Sequence, residues 1–191
     1  MHEPEPHPSP ESLRPGHAPR IWAASLSDYN AGVLHGAWID AARDPDDIDA
    51  DIAAMLAASH QRGAEEWAIH DCEDFGPVRL GEYESIIDVS RIALGITEHG
   101  MAYAAWVAHH GEHPDDDFED CFLGEWDSLQ DYAQHYADDT NLDRLLQECV
   151  PGYLLAYVAF DAAAFGRDLE LGGDIFTADT PDGGIWVFYA H

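Results

Sequence analysis

Two short apolar stretches, "IWAASL" (21–26) and "VLHGAWID" (33–40), flank the polar "SDYNAG" (27–32), whose Asn30 and Gly32 suit a turn or loop. This alternation predicts two strands. The period then changes. In "DPDDIDADIAAMLAASHQRG" (44–63), Ile48, Ile52, Met55 and Leu56 fall on one helical face. Asp44 is placed to cap that helix, Pro45 suits its first position and Gly63 lies beyond its end. "EEWAIHDCED" (65–74) returns to a strand pattern. Residues 20–84 therefore predict a small antiparallel sheet with one helix laid on it, since a sheet with one apolar face must bury it against something.

From Ser85 the spacing is helical. "SIID" offers a serine cap with an acid three residues on, Gly100 closes the first helix, and "MAYAAWVAHHG" supplies a second ending at Gly111. "PDDDFEDCF" (114–122) predicts a short acidic helix, so residues 85–126 read as a central helical domain. In residues 127–191, "DSLQDYAQHYADD" and "TNLDRLLQECV" are helical, the latter with Thr140 and Asp143 placed as a capping box. "GYLLAYVAFDAAAFGRDLEL" runs apolar and then helical, and in "DIFTADTPDGGIWVFYAH" two β-type runs flank "TPDGG", a hairpin signal. Breaks at Gly and Pro describe a compact cluster and not a coiled coil. Residues 1–19 hold six of the eleven prolines and almost no large apolar side chain, so they cannot offset the entropy of ordering and predict a disordered tail. His2, His7 and His17 are scattered through that tail, as in solvated coil. The fold class is α+β, with no internal repeat.

Charge changes the picture more than composition does. The 191 residues carry 38 acids against 8 basic residues, every one of them Arg, for a formal net charge of −30. Such a field repels nucleic acid and anionic membranes and attracts basic surfaces, which excludes direct DNA binding and calls for a positively charged partner. Cys72, Cys121 and Cys149 are far apart and form no CxxC pair, so neither a disulfide framework nor a zinc site is expected. No apolar run reaches the length of a membrane span and the first residues lack a signal-peptide layout, so the expected location is the cytoplasm.

The acids cluster. Asp40, Asp44, Asp46, Asp47, Asp49 and Asp51 surround the first long helix; Glu65, Glu66, Glu82 and Glu84 flank the third strand. Glu112, Asp115, Asp116, Asp117, Glu119 and Asp120 crowd the middle, and Asp138 and Asp139 end a later helix. Like charges at helical neighbour spacing cost roughly 0.2–0.5 kcal/mol per pair, a cost accepted here repeatedly. Duplex DNA carries one charge per ~1.7 Å, so thirty charges match about 50 Å of duplex. Composition alone leaves two readings open: imitation of DNA, or an acid-rich, salt-adapted binding protein.

Enzymatic chemistry finds little footing. His70 and Asp71, or His35 with Asp40, are the pairs a small hydrolase would use, but no GxSxG, HExxH, Walker or GxGxxG motif accompanies them. "DDDFED" lacks the spacing and the glycine of a calcium loop. No catalytic residue, cofactor or metal is expected.

Three stretches decide between the open readings. "IWAASLSDYNAGVLHGAWIDA", "EEWAIHDCEDFGPVRLGEYES" and "FGRDLELGGDIF" resemble the ArdA antirestriction proteins and occur in that family's order, the likeness running from about Arg20 to the C-terminus. The resemblance implies an elongated row of three small domains, carriage on a mobile genetic element, and a dimer that imitates double-stranded DNA. It implies that the partner is a type I restriction-modification enzyme, whose DNA-binding cleft such a protein occupies through its methyltransferase and specificity subunits. The family's dimer contact points to the stripe Leu129, Tyr132, Ala133 and Tyr136, which helical spacing alone assigns equally well to core. The Pro-rich tail and Cys72, where an aromatic residue is expected, depart from the family pattern.

Overall fold

In the computed structural model, residues 18–111 and 118–190 are described. The architecture is α+β with two three-stranded antiparallel sheets, ordered β2-β1-β3 and β4-β6-β5. Contacts divide the chain into two compact units, 1–115 and 116–191.

In the first unit, β1 (Arg20–Ser25) is the central strand between β2 (Gly36–Asp40) and β3 (Trp67–Glu73). Trp22 opposes Trp38 on one side and Asp71 on the other, and His70 is the extra residue of a bulge opposite Trp22 and Ala23. The segment expected as a turn contains a one-turn helix, α1 (Leu26–Asn30). Ser25 caps it through the Asp28 N–H, 3.4 Å, and Asp28 itself is buried. Pro19, assigned above to the tail, is buried, and its carbonyl accepts from Ala41 N–H at 2.8 Å.

Helix α2 (Pro45–Ala57) forms where expected, with Asp44 accepting from Asp46 N–H at 2.9 Å. Its buried Ile48, Ile52 and Met55 share the inner side of the sheet with Ile21, Ala23 and Ile39. The helices α3 (Ile86–His99) and α4 (Met101–His110) meet at Gly100. Ser85 occupies the cap position of α3 without a side-chain capping bond. Its hydroxyl does not reach the helix, so the expected cap is one of backbone geometry only. Ser90 Oγ donates to the Arg43 carbonyl, 2.5 Å, and ties α3 to the turn before α2.

In the second unit, the expected acidic helix is reduced among the described residues to α5 (Phe118–Cys121), which leads straight into a strand, β4 (Phe122–Trp126). That strand was not expected; it pairs with β6 (Ile185–Tyr189), with Glu125 opposite Trp186. Helices α6 (Leu129–Asp139), α7 (Leu142–Cys149) and α8 (Ala162–Gly172) follow, then β5 (Ile175–Asp179), which completes the expected hairpin with β6. Its turn needs both glycines: Gly183 has φ +92°, and a Cβ on Gly184 would sit 2.7 Å from the Trp126 carbonyl. Tyr132, Ile175 and Val187 form the core here, with Leu129 and Trp126 packed against them. The capping box at Thr140 does not form. Thr140 ends α6 and turns its hydroxyl back to the Tyr136 carbonyl, 2.8 Å, while Asn141, at φ +52°, starts α7.

Candidate functional site

The sequence-derived acids are overwhelmingly on the outside. Asp40, Asp44, Asp46, Asp47, Asp49 and Asp51 are exposed, as are Glu65, Glu66, Glu82, Glu119, Asp120, Asp138 and Asp139; Glu84 is half-buried. Glu112, Asp115, Asp116 and Asp117 lie outside the described residues. Along α2 and its cap, Asp44, Asp47 and Asp51 follow the i, i+3, i+7 spacing of one face, a rise of about 4.5–6 Å between successive positions. The buried Ile48, Ile52 and Met55 form one stripe bordered by Asp44 and Asp51, and the exposed Asp46, Asp47 and Asp49 fan around the solvent side that this stripe leaves.

Some charge is neutralised internally. Arg43 reaches Asp51 at 2.6 Å, Arg20 donates to Glu73 at 2.8 Å, and Arg144 pairs with Glu148 at 2.9 Å. His135 stands 3.3 Å from Asp139. Two acids that sequence reasoning did not separate from the rest face inward. Asp88 is buried beside Arg91 at 3.3 Å, and Asp28 accepts from Ser59 Oγ. Burial alone would raise the Asp28 carboxyl, but hydrogen bonds from Ser59 and Ser25 and the neighbouring His35 outweigh it and hold the group below the usual carboxylate value. The signal for Asp28 was its place three residues after a serine cap, where an acid serves the helix start.

The hydrolase pair does not assemble. His70 sits on its bulge with its ring edge-on to Tyr29, centroids 5.0 Å apart, and Asp71 Oδ1 accepts from the Cys72 N–H at 2.9 Å. His35 is engaged elsewhere, its Nε2 donating to the Met55 carbonyl at 2.8 Å. Among the described residues no group of three or more His, Cys, Asp or Glu is arranged to hold a metal ion, and no helix is long and apolar enough to cross a membrane.

The proposed dimer stripe lies mostly inside its own chain. Ala133 is fully buried and Tyr132 nearly so, Leu129 is half-buried, and only Tyr136 is open. Large apolar exposure falls just after it, at Leu145, Tyr153, Leu154, Tyr157 and Val158.

What remains is a small α+β chain whose outward chemistry is carboxylate. The family model for "Antirestriction protein (ArdA)" matches residues 21–181. The chain belongs to the ArdA antirestriction family. The match covers the first sheet apart from Arg20, every described helix, and β4 and β5 of the second sheet; it leaves out the Pro-rich N-terminus and all of β6. Membership makes the chain an antirestriction protein, of a family that acts by inhibiting restriction-modification enzymes. A search of curated proteins finds no match.

Proposed function

We propose that this ArdA protein inhibits type I restriction-modification enzymes by presenting its acidic surface in place of the DNA phosphates. The protein would act in the cytoplasm, from a mobile genetic element, on the methyltransferase and specificity subunits that grip DNA. The observation that carries the reading is α2 and its cap: five exposed aspartates, Asp44, Asp46, Asp47, Asp49 and Asp51, around a helix that buries only the stripe of Ile48, Ile52 and Met55. A surface of that kind complements the Arg and Lys of a DNA-binding cleft and repels DNA itself.

The active form in this proposal is a homodimer. Support comes from residues 142–160, whose only charged members are Asp143, Arg144 and Glu148 in a chain of net charge −30. Here two copies can approach with few opposing carboxylates, Glu148 being paired with Arg144, and here Tyr153 and Tyr157 are 77% and 85% exposed.

The test is a titration of a type I methyltransferase in competition with its DNA. Each exposed ion pair contributes about 0–1 kcal/mol, so any one Asp→Asn exchange should weaken inhibition by less than about tenfold. Exchanging Asp44, Asp46, Asp47, Asp49 and Asp51 together should weaken it far more. A single exchange that abolishes inhibition in a folded protein would point to a local site and sink the mimicry reading.

A further inference from the structure

The first sheet has α2 on its inner side, and its outer side carries an unusual set of residues. The register sets Asp40, Arg20 and Glu73 across the three strands in one row and Trp38, Trp22 and Asp71 in the next. Residues directly opposite in an antiparallel pair share a face, so these six stand together. The two indoles meet edge to face with centroids 5.6 Å apart. Gly36 makes room for them: a Cβ there would fall 2.9 Å from the Trp22 indole. Trp38 remains 36% exposed.

One cation already uses this surface. The Arg20 guanidinium lies 4.8 Å from the centre of the Trp38 ring while its Nε donates to Glu73. Both partners of that pair are over 40% solvent-exposed, at 42% and 45%, so the contact is weak and exchangeable. A planar guanidinium stacks on an indole and spends its forked donors on a carboxylate beside it; an ammonium does the second and only poorly the first. Asp40 and Asp71 add carboxylates in the two rows, with no further Arg facing them across the strands.

We propose that this face is a seat for an arginine side chain of a basic protein partner, centred on Trp38 and Trp22 and walled by Asp40, Asp71 and Glu73. Arg20 fills the seat in the free protein and gives it up on docking. The inference rests on the reading that the acidic surface meets a cationic cleft, and adds that at this place the partner is read by ring stacking and not by charge alone. Cross-strand tryptophans also stabilise a sheet, but stability does not call for three carboxylates and a stacked arginine around them.

The test uses the full chain with hexa-arginine and hexa-lysine peptides, following affinity by calorimetry and the two indole N–H signals by NMR. Hexa-arginine should bind about fivefold tighter than hexa-lysine and shift both signals, the contribution of one exposed stacked cation. Trp38→Leu should level the two affinities, and Arg20→Gln should widen the arginine preference by opening the seat. Equal affinities in the wild type, or a preference that survives Trp38→Leu, would overturn the proposal. Should Trp38→Leu unfold, Arg20→Gln decides: an unchanged arginine-to-lysine ratio rejects the seat. No restriction enzyme takes part, so losing the seat leaves inhibition standing, and failed inhibition leaves the seat standing.

Discussion

Asp28 shows what the fold asks of a single carboxylate. It is buried at the start of α1, accepts from Ser59 Oγ, and offers its carbonyl to the N–H groups of Ala31 and Val33, each at 2.9 Å. It thus pins the 26–35 connection to the end of α2. Its carboxyl is held below the ordinary value of 3.8, so the stabilisation belongs to the ionised form. That contribution is complete above the unfolded value and is lost as pH falls through the folded one. Asp28→Asn should lower the melting temperature at pH 7 by on the order of 5 °C, and the gap should close below about pH 3.8. Circular-dichroism melts across that range check it; a gap independent of pH would mean that charge at Asp28 is immaterial.

Among elements, the crossing of α6 and α8 is a close helix contact in the second unit. A Cβ on Gly166 would lie 2.8 Å from the Leu129 carbonyl oxygen and 3.3 Å from the Ala133 Cβ. Gly→Ala in a helix interior ordinarily gains about 1 kcal/mol, while overpacking a close contact costs about 1–3 kcal/mol. Gly166→Ala should therefore destabilise, by about 1 kcal/mol in urea unfolding. Gly172→Ala, where the added Cβ would meet only the Asp174 side chain at 3.3 Å, should stay within about 0.5 kcal/mol. The same crossing explains why the Leu129 to Tyr136 stripe was ambiguous in the sequence. Helical spacing reports that a face is apolar and not what covers it, and here α8, more than twenty residues downstream, covers Ala133. Periodicity made α2, α3, α4, α6 and the terminal hairpin legible because each carries its own cap, break or turn residue. Strand β4 was hidden because "FLGEW" is brief and follows an acidic helix without a Gly or Pro between, so only its pairing with β6 defines it. The outward acids around α2 could be read as lying off its isoleucine stripe; Ser25 marked Asp28 as a helix-start acid, but its burial depends on Ser59 and that of Asp88 on helix packing, and neither contact is local in the sequence.

For the whole molecule, a net charge of −30 sets two salt dependences of opposite sign. Self-repulsion opposes the compact state, so screening should raise thermal stability between about 0.05 and 0.5 M salt, where the Debye length contracts to less than half. The same screening should weaken inhibition of a type I methyltransferase. Melting and competition titrations on one salt series test both, and trends of equal sign would contradict a function carried by distributed surface charge. If two copies pair as proposed, residues 142–160 offer a surface with three charges, Asp143, Arg144 and Glu148, of which Arg144 and Glu148 pair with each other.

The three thiols give that contact a reporter. Cys121 is buried, and Cys72 is half-buried with its thiol pushed up by burial and by Asp71, whereas Cys149 stands exposed at the end of α7. A maleimide dye applied briefly at neutral pH should therefore mark one position per chain, because only Cys149 is exposed and the Cys72 thiol is both less accessible and pushed up. If α7 lies at the contact between copies, two dyes will sit close enough to exchange excitation, and fluorescence anisotropy will climb as labelled protein is diluted into unlabelled. Anisotropy that ignores this mixing would count against a contact between copies at α7.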